Sequence, residues 1–192
     1  MRKIILASRS KARRKLLKQI GLKFCVVEAD VKESSSLKGR SCGALVMDNA
    51  VRKASAAAKG FDTGVVIGAD TVVLAGKNII GKPRTMADAV RSLKLLSKNP
   101  QWVFTGIAVY DIDRKKMRTG FEKTKVYMYP LSDVQIKRYF CKISPFDKAG
   151  AFDVQGPGSI FIDRIEGCFY NVVGLPLAKL GAMLKKAGVS II

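Results

Sequence analysis

Val65-Val66-Ile67-Gly68-Ala69-Asp70-Thr71-Val72-Val73-Leu74 is the stretch on which the reading of this chain turns. An aliphatic, β-branched run of this length predicts a buried strand, and a single acid interrupts it. A carboxylate among such neighbours is costly unless it is paired, hydrogen-bonded or bound to a metal. Two readings of Asp70 follow. It is an acid at a strand end or bulge that faces water, or it is a metal ligand or the base that deprotonates a water.

Around this run, strand-like segments at Lys3 to Ala7, Lys23 to Val27, Trp102 to Tyr110 and Thr119 to Tyr129 alternate with helix-like ones. The helices are expected at Lys11 to Ile20, Cys42 to Lys59, Thr85 to Ser97, Asp133 to Phe140 and Pro176 to Ala187. Alternation of this kind predicts an α/β or α+β class. Thr85 and Asp88 have capping-box spacing after the breaker Gly81-Lys82-Pro83, so the third helix has the best-marked start. Gly76 and Asn78 between the apolar runs ending at Leu74 and starting at Ile79 predict a hairpin.

The composition excludes several chemistries. The 192 residues carry 35 Lys and Arg against 15 Asp and Glu, a formal charge of +20, and no histidine. A Ser-His-Asp triad, a Cys-His nucleophile and a His-ligated zinc site are therefore impossible within the chain. Cys25, Cys42, Cys141 and Cys168 have no Cys-x-x-Cys spacing, so reduced thiols are expected. The apolar run Ile4 to Ala7 is too short for a signal peptide, and charges interrupt every other apolar stretch, which predicts a cytoplasmic chain without a membrane segment. Length and composition predict one domain over residues 1–192. The positive excess is spread along the chain and attracts anions in general: nucleotides, RNA or acidic surfaces.

Three further segments carry chemistry-bearing side chains. Leu6 to Arg14 passes from a strand through Ser8 and Ser10 into a basic helix; its amides, hydroxyls and Arg13 would suit a phosphate, although a Ser N-cap on a solvated helix describes it as well. In Gly81-Lys82-Pro83 the proline restricts the backbone of Lys82 and could aim its ammonium, where the plainer reading is an exposed turn. Lys53, beside Arg52, reads either way in the same manner. The run Asp147-Lys148-Ala149-Gly150 to Gln155-Gly156-Pro157-Gly158 combines close-approach glycines with an amide suited to a base edge, or is an ordinary loop, with Asn171 and Gly174 capping the last helix.

Taken in order, these segments resemble the Maf family of nucleoside triphosphate pyrophosphatases from Ile4 to about Leu177. The resemblance implies a mixed α/β fold with a twisted sheet and flanking helices, two lobes around a central cleft, related to inosine triphosphate pyrophosphatases. It implies hydrolysis between the α and β phosphates, a divalent cation such as Mg²⁺ or Mn²⁺, and a homodimer. Position by position, Ser8, Ser10 and Arg13 match the opening phosphate motif, Glu33 an acid after the second strand, and Lys53 the lysine of the next helix. Asp70 matches the proton acceptor and Lys82 the lysine of the Gly-Lys-Pro motif, while Asp147-Lys148 and Gln155 match the late motif. Thr71, with the late motif, resembles the subgroup acting on dTTP and UTP and differs from the one acting on 7-methyl-GTP.

On this resemblance Glu33 and Asp70 hold the metal, Asp70 takes a proton from the attacking water, and Arg13, Lys53 and Lys82 meet the phosphates. The chain departs from the family at Ala12, where a specificity arginine is usual, at Gln101, where histidine is common, and at Asp153, which replaces a frequent glycine. The competing class is a basic nucleic-acid or nucleotide-binding protein without turnover; aromatic content of only 8%, and acids that oppose a polyanion, weigh against nucleic acid.

Overall fold

The computed structural model describes residues 2–37, 39–146 and 148–191. In chain order the elements are β1 (Ile4–Ala7), α1 (Lys11–Gln19), β2 (Cys25–Val27), α2 (Cys42–Ala58), β3 (Val65–Ala75), β4 (Asn78–Ile80) and α3 (Met86–Leu96). They continue with β5 (Gln101–Asp111), β6 (Lys116–Met128), α4 (Asp133–Phe140), two 3₁₀ turns at Ala149–Ala151 and Pro157–Phe161, β7 (Ile162–Glu166), α5 (Phe169–Val173) and α6 (Leu177–Lys186). One mixed seven-stranded sheet runs β2-β1-β3-β5-β6-β7, with β4 beside β3. The pairs β1–β2 and β1–β3 are parallel; the others are antiparallel.

The mixed α/β class and every expected strand and helix are present, with ends shifted by a few residues at most. The Thr85 and Asp88 side chains close a reciprocal capping box on α3, and the hairpin turns at Gly76 to place β4 against β3. Two elements were not anticipated. Strand β7 has three charged residues in five and only half-buried apolar ones, and α5 is too short for a helical period. Gly174, in the left-handed region at φ 114°, ends α5 instead of capping the last helix, which begins after Pro176.

Helices cover both faces of the sheet. On one face Leu16 and Leu17 of α1 and Leu180 and Leu184 of α6 pack on Leu6, Ile67, Ile107 and Val109. On the other, Ala50, Ala54 and Ala57 of α2 meet Ile5, Val66 and Ala108. Small side chains alone do not explain how low α2 lies: a Cβ on Gly68 would stand 2.2 Å from the Ala50 carbonyl oxygen, and one on Gly106 2.3 Å from that of Val46. Only glycine permits this approach of helix backbone to sheet. A separate core unites Leu93 and Leu96 of α3 with Ile136 and Tyr139 of α4, Val73, Val103 and Phe161. Among the described residues, no helix is long and apolar enough to cross a membrane.

The amino terminus is fastened by charge. Arg2 pairs with the fully buried Asp111 carboxylate and with Asp113, and Asp113 also accepts from the Gly64 amide at 3.0 Å. The Arg2 hydrogen bond holds the Asp111 carboxyl below the usual carboxylate range against the opposing effect of burial. Because the folded-state value is depressed, this contribution is complete above the ordinary carboxylate range and is lost as pH falls through the lowered value. Asp111→Asn should therefore destabilise the protein by about 2 kcal/mol at neutral pH and flatten the acid limb of a plot of unfolding midpoint against pH; an unchanged midpoint at pH 7 would show that the fastening contributes nothing.

Candidate active site

The site begins with an interruption in the sheet. Strand β1 pairs with β3 through Ala7 and Gly68, and β4 takes up the same edge only at Val73. Residues Ala69 to Val72 therefore have no strand neighbour on that side, and a cleft of about 1050 Å³ opens there. The Ala69 carbonyl on this edge is met by two cations, Arg13 Nη1 at 3.0 Å and Lys53 Nζ at 3.2 Å. The C-terminal ends of parallel strands, where the chain connection changes side, are where open α/β sheets usually bind ligands.

Asp70 projects from this edge toward α2. Only 5% of it is exposed, but it lines the cleft. Lys53 Nζ lies 2.8 Å from Asp70 Oδ1 and 2.8 Å from Glu33 Oε1, so one ammonium joins both acids. Asn49, one turn before Lys53 on α2, donates to Asp70 Oδ2 at 2.8 Å. The same amide brackets Ser34, giving Nδ2 to its carbonyl and taking its N–H on Oδ1, both at 2.9 Å. Asn49 thus fastens the loop carrying Glu33 to the helix carrying Lys53. It was missed in the sequence, where the available signal was a polar residue among the alanines of the sheet-facing side of α2.

Arg13 and Lys53, expected on phosphates, both line the cleft and are held there by protein contacts. Arg13 donates to Gly174 O at 2.8 Å, Ser8 Oγ at 3.3 Å, Ala69 O at 3.0 Å and Thr71 Oγ1 at 2.8 Å. A guanidinium has five donor hydrogens, so this one is a strut between α1, β3 and the end of α5, with little left for a ligand. Burial lowers the pKa of its guanidinium, and the charges of Asp70 and Glu33 oppose that shift. Ser10 caps α1 by accepting from the Arg13 amide at 3.3 Å, and Ser8 accepts from the Ser10 amide at 3.2 Å.

The remaining expected residues meet across the same space. Ser8, Ser10, Ala12, Glu33, Thr71, Lys82, Lys148 and Gln155 all line it, while Asp147 lies outside the described residues. Lys82 is exposed, and Arg84, which the sequence reading passed over, stands beside it on the wall. The late loop is held from behind: the Gly150 amide donates to Gly81 O at 3.2 Å, tying it to the Gly-Lys-Pro turn. Asp153, the departure from the family pattern, accepts from the Gly158 amide at 2.9 Å and from Tyr139 Oη at 3.2 Å. Of the other two departures, Ala12 lines the cleft and Gln101 is buried at the start of β5 away from it. Seven Lys and Arg side chains face four Asp and Glu on the lining, so the cleft keeps a net positive field for an anionic ligand.

Compared with known proteins, residues 3–187 match a family model described as Maf-like protein. The chain belongs to the Maf family. Its relatives include three proteins named dTTP/UTP pyrophosphatase. That of Dictyoglomus turgidum is 43% identical over the whole of both chains. That of Pelotomaculum thermopropionicum is 44% identical, also over both whole chains. That of Methanosarcina barkeri is 46% identical over all of this chain and 97% of its own. A solved structure, the Staphylococcus aureus Ham1 protein, overlaps 66% of this chain and 71% of its own with a TM-score of 0.45 at 18% identity.

Within this Maf-family cleft the Lys53 ammonium is what makes two neighbouring carboxylates tolerable. Lys53→Met keeps the aliphatic stem but leaves Asp70 buried without its counter-charge, which should cost about 3 kcal/mol or more. Denaturant unfolding of the variant beside wild type measures this, and a loss below 1 kcal/mol would mean that the triad behaves as an exposed surface pair.

Proposed function

We propose that this chain hydrolyses dTTP and UTP to the monophosphate and pyrophosphate by in-line attack of water on the α-phosphorus. The observation that carries the reading is Asp70: a buried acid at the open edge of β3, anchored on both oxygens and facing a positively charged cleft. The full-length relatives named dTTP/UTP pyrophosphatase supply the substrate class.

In this mechanism Asp70 takes the proton of the attacking water, a task that falls to a carboxylate in a chain without histidine. Lys53 and Asn49 fix the direction of its lone pairs, so little reorganisation is needed when the proton moves. Lys82 is the cation that meets the triphosphate, with Arg84 next to it; the held backbone of the Gly-Lys-Pro turn limits where that ammonium goes. Arg13 acts through its bonds, keeping Ala69 and Thr71 in place.

Among the described residues no group of three or more His, Cys, Asp and Glu stands together as a ready-made metal cage. The donor set nevertheless fits Mg²⁺ or Mn²⁺: Asp70 and Glu33 offer hard carboxylate oxygens that converge on one ammonium, and ions of this kind keep several waters and complete their shell with substrate phosphates. When bound by Asp70 and Glu33, the cation would neutralise phosphate charge and sharpen the acidity of nearby water.

Pyrophosphate release from UTP, measured with Mg²⁺ and again with excess chelator, tests the reading, with release expected only in the first. Tight UTP binding without release would make the chain a nucleotide-binding module. Asp70→Asn should lower kcat on the order of 10³-fold, since it removes the base and the anionic ligand but keeps the shape; near wild-type turnover would remove Asp70 from the chemistry. Lys82→Ala should lower kcat about 100-fold if the ammonium stabilises charge formed in the transition state. A change confined to KM would make it a ground-state binder instead.

A further inference from the structure

Behind the cleft wall, a row of hydroxyls has one orientation in which every bond is made. Arg13 Nη2 donates to Thr71 Oγ1 at 2.8 Å, Thr71 Oγ1 and Thr105 Oγ1 lie 2.9 Å apart, and Thr105 Oγ1 reaches the Asn171 carbonyl oxygen at 3.0 Å. The guanidinium can only donate, the carbonyl can only accept, and each hydroxyl has a single hydrogen. The hydrogens must therefore run one way: Thr71 gives its own to Thr105, and Thr105 gives its own to Asn171. In the reverse sense, Thr105 would turn a lone pair toward the carbonyl lone pairs and Thr71 would lose its acceptor.

The consequence lies on the cleft side. Thr71 lines the cleft and is half-buried, whereas Thr105 is fully buried in β5 and reaches the cleft only through Thr71. With its hydrogen committed to Thr105 and one lone pair taken by Arg13, Thr71 Oγ1 has only a lone pair left to present. We infer that Thr105 is a positioning residue for specificity: it makes Thr71 an acceptor-only group, which favours a pyrimidine offering N–H at ring position 3 over one offering a lone pair there. Uracil and thymine have that N–H and cytosine does not. The inference rests on the pyrophosphatase reading above and adds a cause for the base preference that lies one strand away from the cleft.

Substitution at position 105 separates this role from a merely structural one. Thr105→Val keeps the shape and strands no backbone acceptor, because the Asn171 carbonyl also accepts the Gly174 amide at 3.0 Å. It frees the Thr71 hydroxyl to rotate and donate to cytosine. Steady-state pyrophosphate release from UTP, CTP and N3-methyl-UTP should show wild type preferring UTP to both. In Thr105→Val the ratio of kcat/KM for UTP over CTP should fall about tenfold, mainly through a rise for CTP, with kcat on UTP within about twofold. Thr105→Ser restores the hydroxyl and should restore the ratio.

An unchanged ratio in Thr105→Val overturns the inference, as does a lowered ratio that Thr105→Ser leaves low, or wild-type indifference to the N3-methyl group. A wild-type chain that releases no pyrophosphate from UTP overturns the function instead, and the inference falls with it. Equal losses on UTP and CTP in Thr105→Val would make Thr105 a packing residue and overturn the positioning role.

Discussion

One ammonium held between two carboxylates is the constraint around which this molecule is arranged. Lys53 satisfies Asp70 and Glu33 together, and it also takes the free carbonyl of Ala69 at the sheet edge. A buried ion pair seldom stabilises a fold by more than a hydrophobic substitute would, because desolvation consumes most of the attraction. Its value here is better explained by what it holds ready: an acid lining a cleft, in a place where an unpaired carboxylate would be costly.

Delivering that ammonium demands a helix lying unusually low on the sheet. Gly68 and Gly106 leave room for the carbonyls of Ala50 and Val46, and the alanines of α2 complete the contact. The period of the helix then sets Asn49 and Lys53, four residues apart, over the same acid. The interruption of the sheet edge between Ala7 and β4 opens the opposite approach for a ligand. Close packing and an unpaired edge, which work against each other in a simple stability argument, serve the same side chain here.

Much of this was legible in the sequence because periodicity and breakers are local. The run Val65 to Leu74, the Thr85 capping box and the Gly-Lys-Pro stop mark β3, α3 and the turn between β4 and α3 without ambiguity. The acid in β3 announced that it needed a partner, but which lysine would provide one depends on a contact between residues 17 positions apart that no pattern encodes. Arg13 shows the limit most clearly. An arginine in the first turn of a basic helix looks like a phosphate clamp, yet its donors go to residues as distant as Gly174, so its use is decided by the tertiary fold. Asn49, Thr105 and Asn171 are polar, buried and uncharged, and their meaning lies in hydrogen-bond direction, which sequence alone does not carry.

The absence of histidine gives these arrangements a further consequence. Imidazole is the one side chain whose ordinary pKa lies between pH 5 and 8, and this chain has none. Burial pushes the Cys42 thiol upward, further from that range. Lysines and arginines facing carboxylates, with no imidazole among them, therefore make up the charge of the cleft lining that gathers a polyanion. A terminal phosphate, by contrast, ionises a second time near pH 6, by analogy with phosphorylated side chains at about that value. Across the neutral range the terminal phosphate is then a group whose charge changes, and the chain has no imidazole whose charge changes with it.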